Sequence, residues 1–170
     1  MEIKKLTPAY AEAYQRLMLQ ALQEFPAAFA ASYEERLHQP ISQVAETIQS
    51  LQQSGGQLFG AFSDQDELVG VVGLRQEPLT KMRHKGVIWG MYVTRGYQGR
   101  GLGKQLLEAT LTYARGMGGL EQLNLVVGED NTGAQRLYES LGFRPFGVEL
   151  RELKVDGKYY NGVLMWLKLS

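Results

Sequence analysis

The chain has 170 residues and no cysteine. Disulfides, thiolate metal sites and a cysteine nucleophile are therefore excluded. Histidine is nearly absent too. His38 and His84 are the only two, so a histidine-rich metal centre lacks ligands and no metal is expected. There is no excess of either charge. Lys+Arg and Asp+Glu are both 18, for a formal net charge of zero. A nucleic-acid or membrane-surface partner has no electrostatic support. No apolar run reaches the roughly 18 residues of a membrane span, and the N-terminus lacks a signal-peptide core. A cytoplasmic location is the expectation. Hydrophobic residues make up 44% and charged residues 21%, which is ordinary for one globular domain over residues 1–170.

Glycine, in contrast, is abundant, with 20 in the chain. Three alternate in Gln98-Gly99-Arg100-Gly101-Leu102-Gly103. An apolar run, Trp89 to Val93, precedes this stretch. A helical pattern of Leu102, Leu106, Leu107, Leu111 and Ala114 follows it. A strand that ends in a glycine turn opening a helix presents free N–H groups at the positive end of a helix dipole. That arrangement suits a phosphate. The G-x-G-x-G spacing fits a Rossmann fingerprint poorly, because that motif reads G-x-G-x-x-G and opens a βαβ unit. It is not a magnesium-binding P-loop either: Gly103-Lys104-Gln105 lacks the hydroxyl.

The remaining pattern predicts a mixed α/β domain of order β-αα-βββ-α-β-α-ββ. Residues 2–6 read as a strand and 8–24 as a helix. A break with aromatic and acidic residues covers 25–39. A second helix starts near Pro40 and stops at Ser54-Gly55-Gly56. Strands follow at 58–62, 68–74 and 87–93, with a loop at 78–84. After the glycine loop and its helix come a strand at 123–127, a helix over 131–141 and a hairpin of 148–155 with 158–169. The Asp156-Gly157 pair is a hairpin turn signal.

The segment Tyr92 to Gly103 closely resembles the acetyl-CoA loop of the GCN5-related N-acetyltransferases, written Gln/Arg-x-x-Gly-x-Gly/Ala. A second stretch, Asn131-Thr132-Gly133-Ala134-Gln135-Arg136-Leu137-Tyr138-Glu139-Ser140-Leu141-Gly142-Phe143, resembles that family's later motif, Asn-x-x-Ala-x-x-Leu-Tyr-x-x-x-Gly-Phe. Residues 25–35 and the tail from Gly147 to Met165 look like a bacterial subgroup of unassigned substrate. The resemblance implies one mostly antiparallel, twisted sheet, splayed between its fourth and fifth strands. It implies an N-acetyltransferase that uses acetyl-CoA on a small-molecule or peptide amine by direct attack, in a ternary complex. A homodimer is possible, because the long C-terminal strands of this fold often lie at dimer contacts.

Residue by residue, the resemblance makes Gln98, Gly99, Arg100, Gly101, Leu102, Gly103 and Lys104 the pyrophosphate cradle. Met91, Tyr92 and Val93 would hold the pantetheine arm, with a backbone amide there polarising the thioester carbonyl. Asn131 would cap its helix or touch CoA. Tyr138 would be the general acid for the departing thiolate. The fourth strand, Val87 to Val93, has no carboxylate, so the base is open among Glu77, His84, and Glu34 or Glu35. Phe25, Phe29 and Tyr33 would form an aromatic wall for the acceptor, with Glu34 attracting its ammonium. The alternatives are a catalytically idle acyl-CoA-binding module and a dinucleotide-dependent oxidoreductase.

Overall fold

A computed structural model describes residues 1–169. Seven strands form one sheet in the order β1-β2-β3-β4-β5-β7-β6. Their ranges are β1 Glu2–Lys5, β2 Gln57–Phe62, β3 Leu68–Gln76, β4 Lys85–Val93, β5 Gln122–Gly128, β6 Arg144–Val155 and β7 Lys158–Lys168. The helices are α1 Ala11–Glu24, α2 Tyr33–Leu37, α3 Ile41–Gln53, α4 Leu102–Arg115 and α5 Thr132–Ser140. Every neighbouring pair is antiparallel except β4 and β5, which run parallel.

The β4–β5 pairing covers only Lys85↔Gln122, Gly86↔Leu123 and Val87↔Asn124. Beyond Val87 the two strands part, as the resemblance implies. β3 stays paired to β4 as far as Val93, and β7 to β5 as far as Gly128. The sheet is thus two intact halves joined at one end, with a cleft at the other.

Each face of the sheet carries its own core. On one face, α4 and α5 bury Leu102, Leu106, Leu107, Leu111 and Tyr138 against Val72, Ile88, Leu123, Leu125 and Met165. On the other, α1 and α3 bury Leu17, Met18, Ala21, Val44 and Ile48 against Leu58, Val71 and Tyr92. α1, α3 and α4 are amphipathic at helical spacing, which is why each presents one apolar stripe. This second layer stops short of β5. Val126 therefore lies 43% exposed although it sits in an inner strand.

Two expectations need correction. The break at 25–39 is not irregular throughout. Pro26–Ala28 makes one 3₁₀ turn, and Ser32 starts α2 with a capping box in which Glu35 reciprocates. That Ser-x-x-Glu signature was present in the sequence. The hairpin is also longer than predicted. β6 begins at Arg144, and two register shifts let it run past its polar and glycine positions.

Candidate active site

The end of β4 is tied to β3 by backbone and to the following loop by a side chain. Thr94 N–H donates to Val69 O at 2.9 Å, and Gln98 Nε2 donates to Val93 O at 2.9 Å. Gly99 and Gly101 then take φ of +73° and +77°. A Cβ on either would meet nothing within 4 Å, so glycine is needed there for the sign of φ and not for space. Gly103 differs. Its Cβ would stand 2.9 Å from Met91 Cε and 3.2 Å from Leu137 Cδ2, so this third glycine lets α4 pack against β4 and α5. Among the described residues, the backbone N–H groups of Gly99 to Lys104 find no acceptor. Gln105 N–H, to Gly101 O at 3.1 Å, is the first that does. Six consecutive free amides therefore lie at the positive end of α4. Arg100 lies over the Tyr97 ring at 5.0 Å, and Lys104 Nζ is 3.8 Å from Glu108, both on the exposed rim.

The second feature is a β-bulge in β4. Gly90 adopts φ +62°, and the β3–β4 register shifts by one there. This is a glycine bulge of the left-handed type. Without it, Met91 would turn toward α1 and Tyr92 toward α4. With it, Met91 and Val93 pack with the α4–α5 core, and Tyr92 packs with α1. Backbone directions alternate along a strand. Since Thr94 N–H faces β3, the backbone groups of Met91 and Val93 turn into the cleft. Val93 O is already taken by Gln98. Tyr92, called a CoA contact, does not fit that role: its backbone faces β3 and its phenol faces α1.

α5 brings Tyr138 to the same cleft. Asn131 caps the helix, its Oδ1 accepting from Ala134 N–H at 3.1 Å. Tyr138 is 7% exposed and meets Phe143 edge-on, with ring centroids 5.7 Å apart. Its hydroxyl donates to Met91 Sδ at 3.3 Å. Burial pushes the phenol up to about 12, so the hydroxyl stays protonated. Sulfur is a weak acceptor, which leaves this O–H available to a better one.

Of the proposed acceptor residues, all but Phe25 are brought together; Phe25 packs beside the Tyr92 ring at 6.2 Å and under Arg95 at 5.2 Å. Phe29, Tyr33 and Glu34 line a cavity of about 510 Å³ with Leu22, Gln23 and the hairpin tip at Leu153–Asp156. Of the base candidates, Glu34 lines this cavity and is exposed; Glu77, His84 and Glu35 are not brought there. Glu77 N–H pairs with Lys85 O at the opposite end of β4, and its carboxylate lies 3.6 Å from Arg75. His84 precedes β4 at that same end, where its carbonyl accepts from Glu121 and Gln122. Six residues of strand, about 20 Å, separate that end from Met91. Glu35 is occupied as a cap at Ser32 N–H.

Sequence reading missed Glu24. Its carboxylate accepts from Gln20 Nε2 at 3.0 Å and Tyr92 Oη at 2.9 Å, and Arg95 Nε lies at 3.5 Å. The Gln20 bond first, then Tyr92 and the Arg95 charge, hold it below the usual carboxylate range. Burial, then Glu24, push the Tyr92 phenol far up. Glu24 thus ties α1 to the end of β4. No sequence spacing announces this, because the contact spans 68 residues. Two buried polar atoms, Trp89 Nε1 and Thr94 Oγ1, have no partner among the described residues. Both flank the cleft segment of β4.

The model of the Acetyltransferase (GNAT) family matches residues 10–143. N-alpha-acetyltransferase RimI of Mycobacterium tuberculosis is 43% identical over 61 residues, 36% of each chain. The chain thus matches only about a third of that relative's length. Among solved structures, a GNAT-family acetyltransferase from Streptococcus pneumoniae superposes with a TM-score of 0.90 at 22% identity over 98% of both chains. The yncA protein of Salmonella typhimurium, solved with its cofactor acetyl-CoA, gives 0.85 at 20% identity, covering 100% of this chain and 94% of that one.

Proposed function

The chain belongs to the GNAT family of acetyltransferases, and on that footing we propose that it transfers the acetyl group of acetyl-CoA to a primary amine. The observation that carries this reading is the row of six unpartnered amides, Gly99 to Lys104, at the mouth of the β4–β5 cleft. A diphosphate fits a positive helix end lined with N–H groups, and a narrow arm fits between strands that have lost their pairing. Acetyl-CoA supplies an activated thioester there.

The residues of the chain do the rest. Gln98 to Lys104 bind the pyrophosphate. The backbone groups of Met91 and the N–H of Val93, whose carbonyl is held by Gln98, hold the arm in strand fashion, and an amide of this segment polarises the thioester carbonyl. Tyr138 Oη exchanges its weak sulfur contact for the departing thiolate. The cavity walled by Phe29, Tyr33 and Glu34 receives the amine, with Glu34 favouring a cation. The similarity to RimI, an N-alpha-acetyltransferase, supports a peptide N-terminus as one acceptor class beside small amines. The same reading keeps residues 1–170 as one domain, places it in the cytoplasm, and leaves the outer strand β6, with Phe146, Val148 and Leu150 exposed, as the dimer surface.

A calorimetric titration with CoA tests the cradle. The unaltered chain should bind, and Gly101→Val, which forces a β-branched residue to φ +77°, should weaken binding at least tenfold. Equal affinity would place the pyrophosphate elsewhere.

A further inference from the structure

We infer that Glu152 is the group that takes the proton from the acceptor amine; this rests on the acetyl-transfer reading above. Three carboxylates of the described residues are neither fully buried nor exposed: Glu24, Glu77 and Glu152. Glu24 is held by Gln20, Tyr92 and Arg95, and Glu77 faces Arg75. Glu152 has no hydrogen bond and no ion pair among the described residues. A partly desolvated carboxylate without a partner is costly to keep, and such groups concentrate where chemistry is done.

The backbone is built to aim it. Between Glu149↔Gly162 and Leu153↔Tyr160, β6 carries three residues against one on β7. Arg151 takes φ +57°, a conformation that non-glycine residues seldom adopt. Asn161 pins this bulge: its Oδ1 accepts from Arg151 N–H at 3.0 Å, and its Nδ2 donates to Glu129 Oε2 at 2.9 Å. Bulges of this kind re-aim side chains beside functional sites. Here the result is a carboxylate lying over Gly162 and against Val126. A Cβ on Gly162 would occupy the place of the Glu152 carboxyl oxygen and stand 2.5 Å from Val126 Cγ1. Continuing the β4–β5 register puts Val126 level with Trp89 across the cleft. Glu152 therefore faces the open side of the cleft, where helix cover ends and Val126 is exposed. Leu153, its neighbour, lines the acceptor cavity.

The charges around Glu152 suit a base. Burial first, then the like charge of Glu149, push its carboxyl up. Arg151 gives it no counter-charge, since its guanidinium lies over the Tyr159 ring at 4.5 Å. Glu129 is tied to Asn161. Val126, Gly162 and the Pro26–Ala28 turn, which packs on β5 and β6, bring no charge; Tyr160 shares that face of β7 with Gly162, and the Lys158 ammonium on that side lies over the Tyr160 ring at 5.0 Å. In the step itself the amine nitrogen bonds to the carbonyl carbon and the carbon–sulfur bond breaks. The amine proton passes to Glu152, directly or through water, and the Tyr138 hydroxyl serves the sulfur.

The test compares the unaltered chain, Glu152→Gln and Glu149→Gln across pH, with acetyl-CoA and a panel of primary amines, following thiol release. CoA binding is measured on each by calorimetry. Glu152→Gln should lose about 100-fold in kcat near neutral pH, keep its CoA affinity, and lose the acid inflection. Its deficit should shrink as pH rises and neutral amine becomes plentiful. Glu149→Gln should move the acid inflection to lower pH, because it removes the like charge. An active unaltered chain with an unchanged Glu152→Gln profile would overturn this assignment alone. CoA binding with no thiol release from the unaltered chain for any amine would overturn the acetyl-transfer reading, and this assignment with it.

Discussion

Replacing Tyr138 by Phe and by Ala separates chemistry from packing. The hydroxyl has one protein contact, the 3.3 Å donation to Met91 Sδ. Losing so weak a bond should cost less than ~1 kcal/mol of stability. Losing the ring, which is 7% exposed and packed on Phe143, should cost roughly 3–5 kcal/mol. For catalysis the phenol pKa matters. It sits near 12, against roughly 8.5 for a free thiol. Full proton delivery from phenol to thiolate is therefore uphill by about 3.5 pK units, before any effect of burial on the thiol. In the proposed reaction Tyr138 therefore works first as a hydrogen-bond donor to developing negative charge. A hydrogen bond to a charged group contributes about 1.5–3 kcal/mol, so Tyr138→Phe should lower kcat by roughly 10- to 150-fold. Thiol-release kinetics and chemical denaturation on both variants supply the two readouts. Wild-type kcat in Tyr138→Phe would refute the donor role. A stability loss equal to that of Tyr138→Ala would show that the hydroxyl is structural.

Further outcomes concern pH, the bulge and the acceptor wall. Tyr14, Tyr92 and Tyr138 all have phenols raised by burial. Each binds its proton more tightly folded than unfolded, so its contribution is complete below about pH 10, the unfolded value, and is lost as pH rises through its raised folded value, which for Tyr138 is about 12. Phenolate absorbance should therefore show these three titrating only with unfolding; three groups titrating near 10 in the folded chain would contradict this. Asn161→Ala frees the Arg151 amide and the Glu129 carboxylate; it should cost about 1 kcal/mol and lower kcat while leaving CoA affinity intact. Glu34→Gln should raise KM for cationic amines only, with kcat unchanged; an equal effect on uncharged acceptors would remove Glu34 from recognition.

The order of elements and the turn geometry of the glycine loop were legible because local patterns encode them. Glycine at Gly99 and Gly101 states the sign of φ, and helical spacing places Tyr138 on a buried stripe. The Asn131 cap is a local rule as well. What escaped reading was set by contacts distant in sequence. The Gly90 bulge decides that Met91 and not Tyr92 faces the α4 side, yet an isolated glycine in a strand says only that something irregular is near. Glu77 and His84 looked plausible as bases because sequence gives no depth along a strand; the antiparallel pairing sends both to the closed end of the cleft. Glu152 was hidden by its bulge. Simple alternation from Glu149 would have put it on the opposite face, and nothing local marks the two extra residues. Gly103 carried a packing reason that its place in the glycine motif concealed.

In the proposed reaction the Gly99–Lys104 amides and the cleft beside Met91 hold acetyl-CoA for attack by an amine. The most direct measurement is thiol release from acetyl-CoA with primary amines and peptide N-termini, with the acetylated product weighed by mass spectrometry. Release is expected for at least one amine class, with one acetyl group gained per thiol and loss of both in Gly101→Val. Tight CoA binding with no release for any amine, or stabilisation by NADH and not by acetyl-CoA, would contradict it.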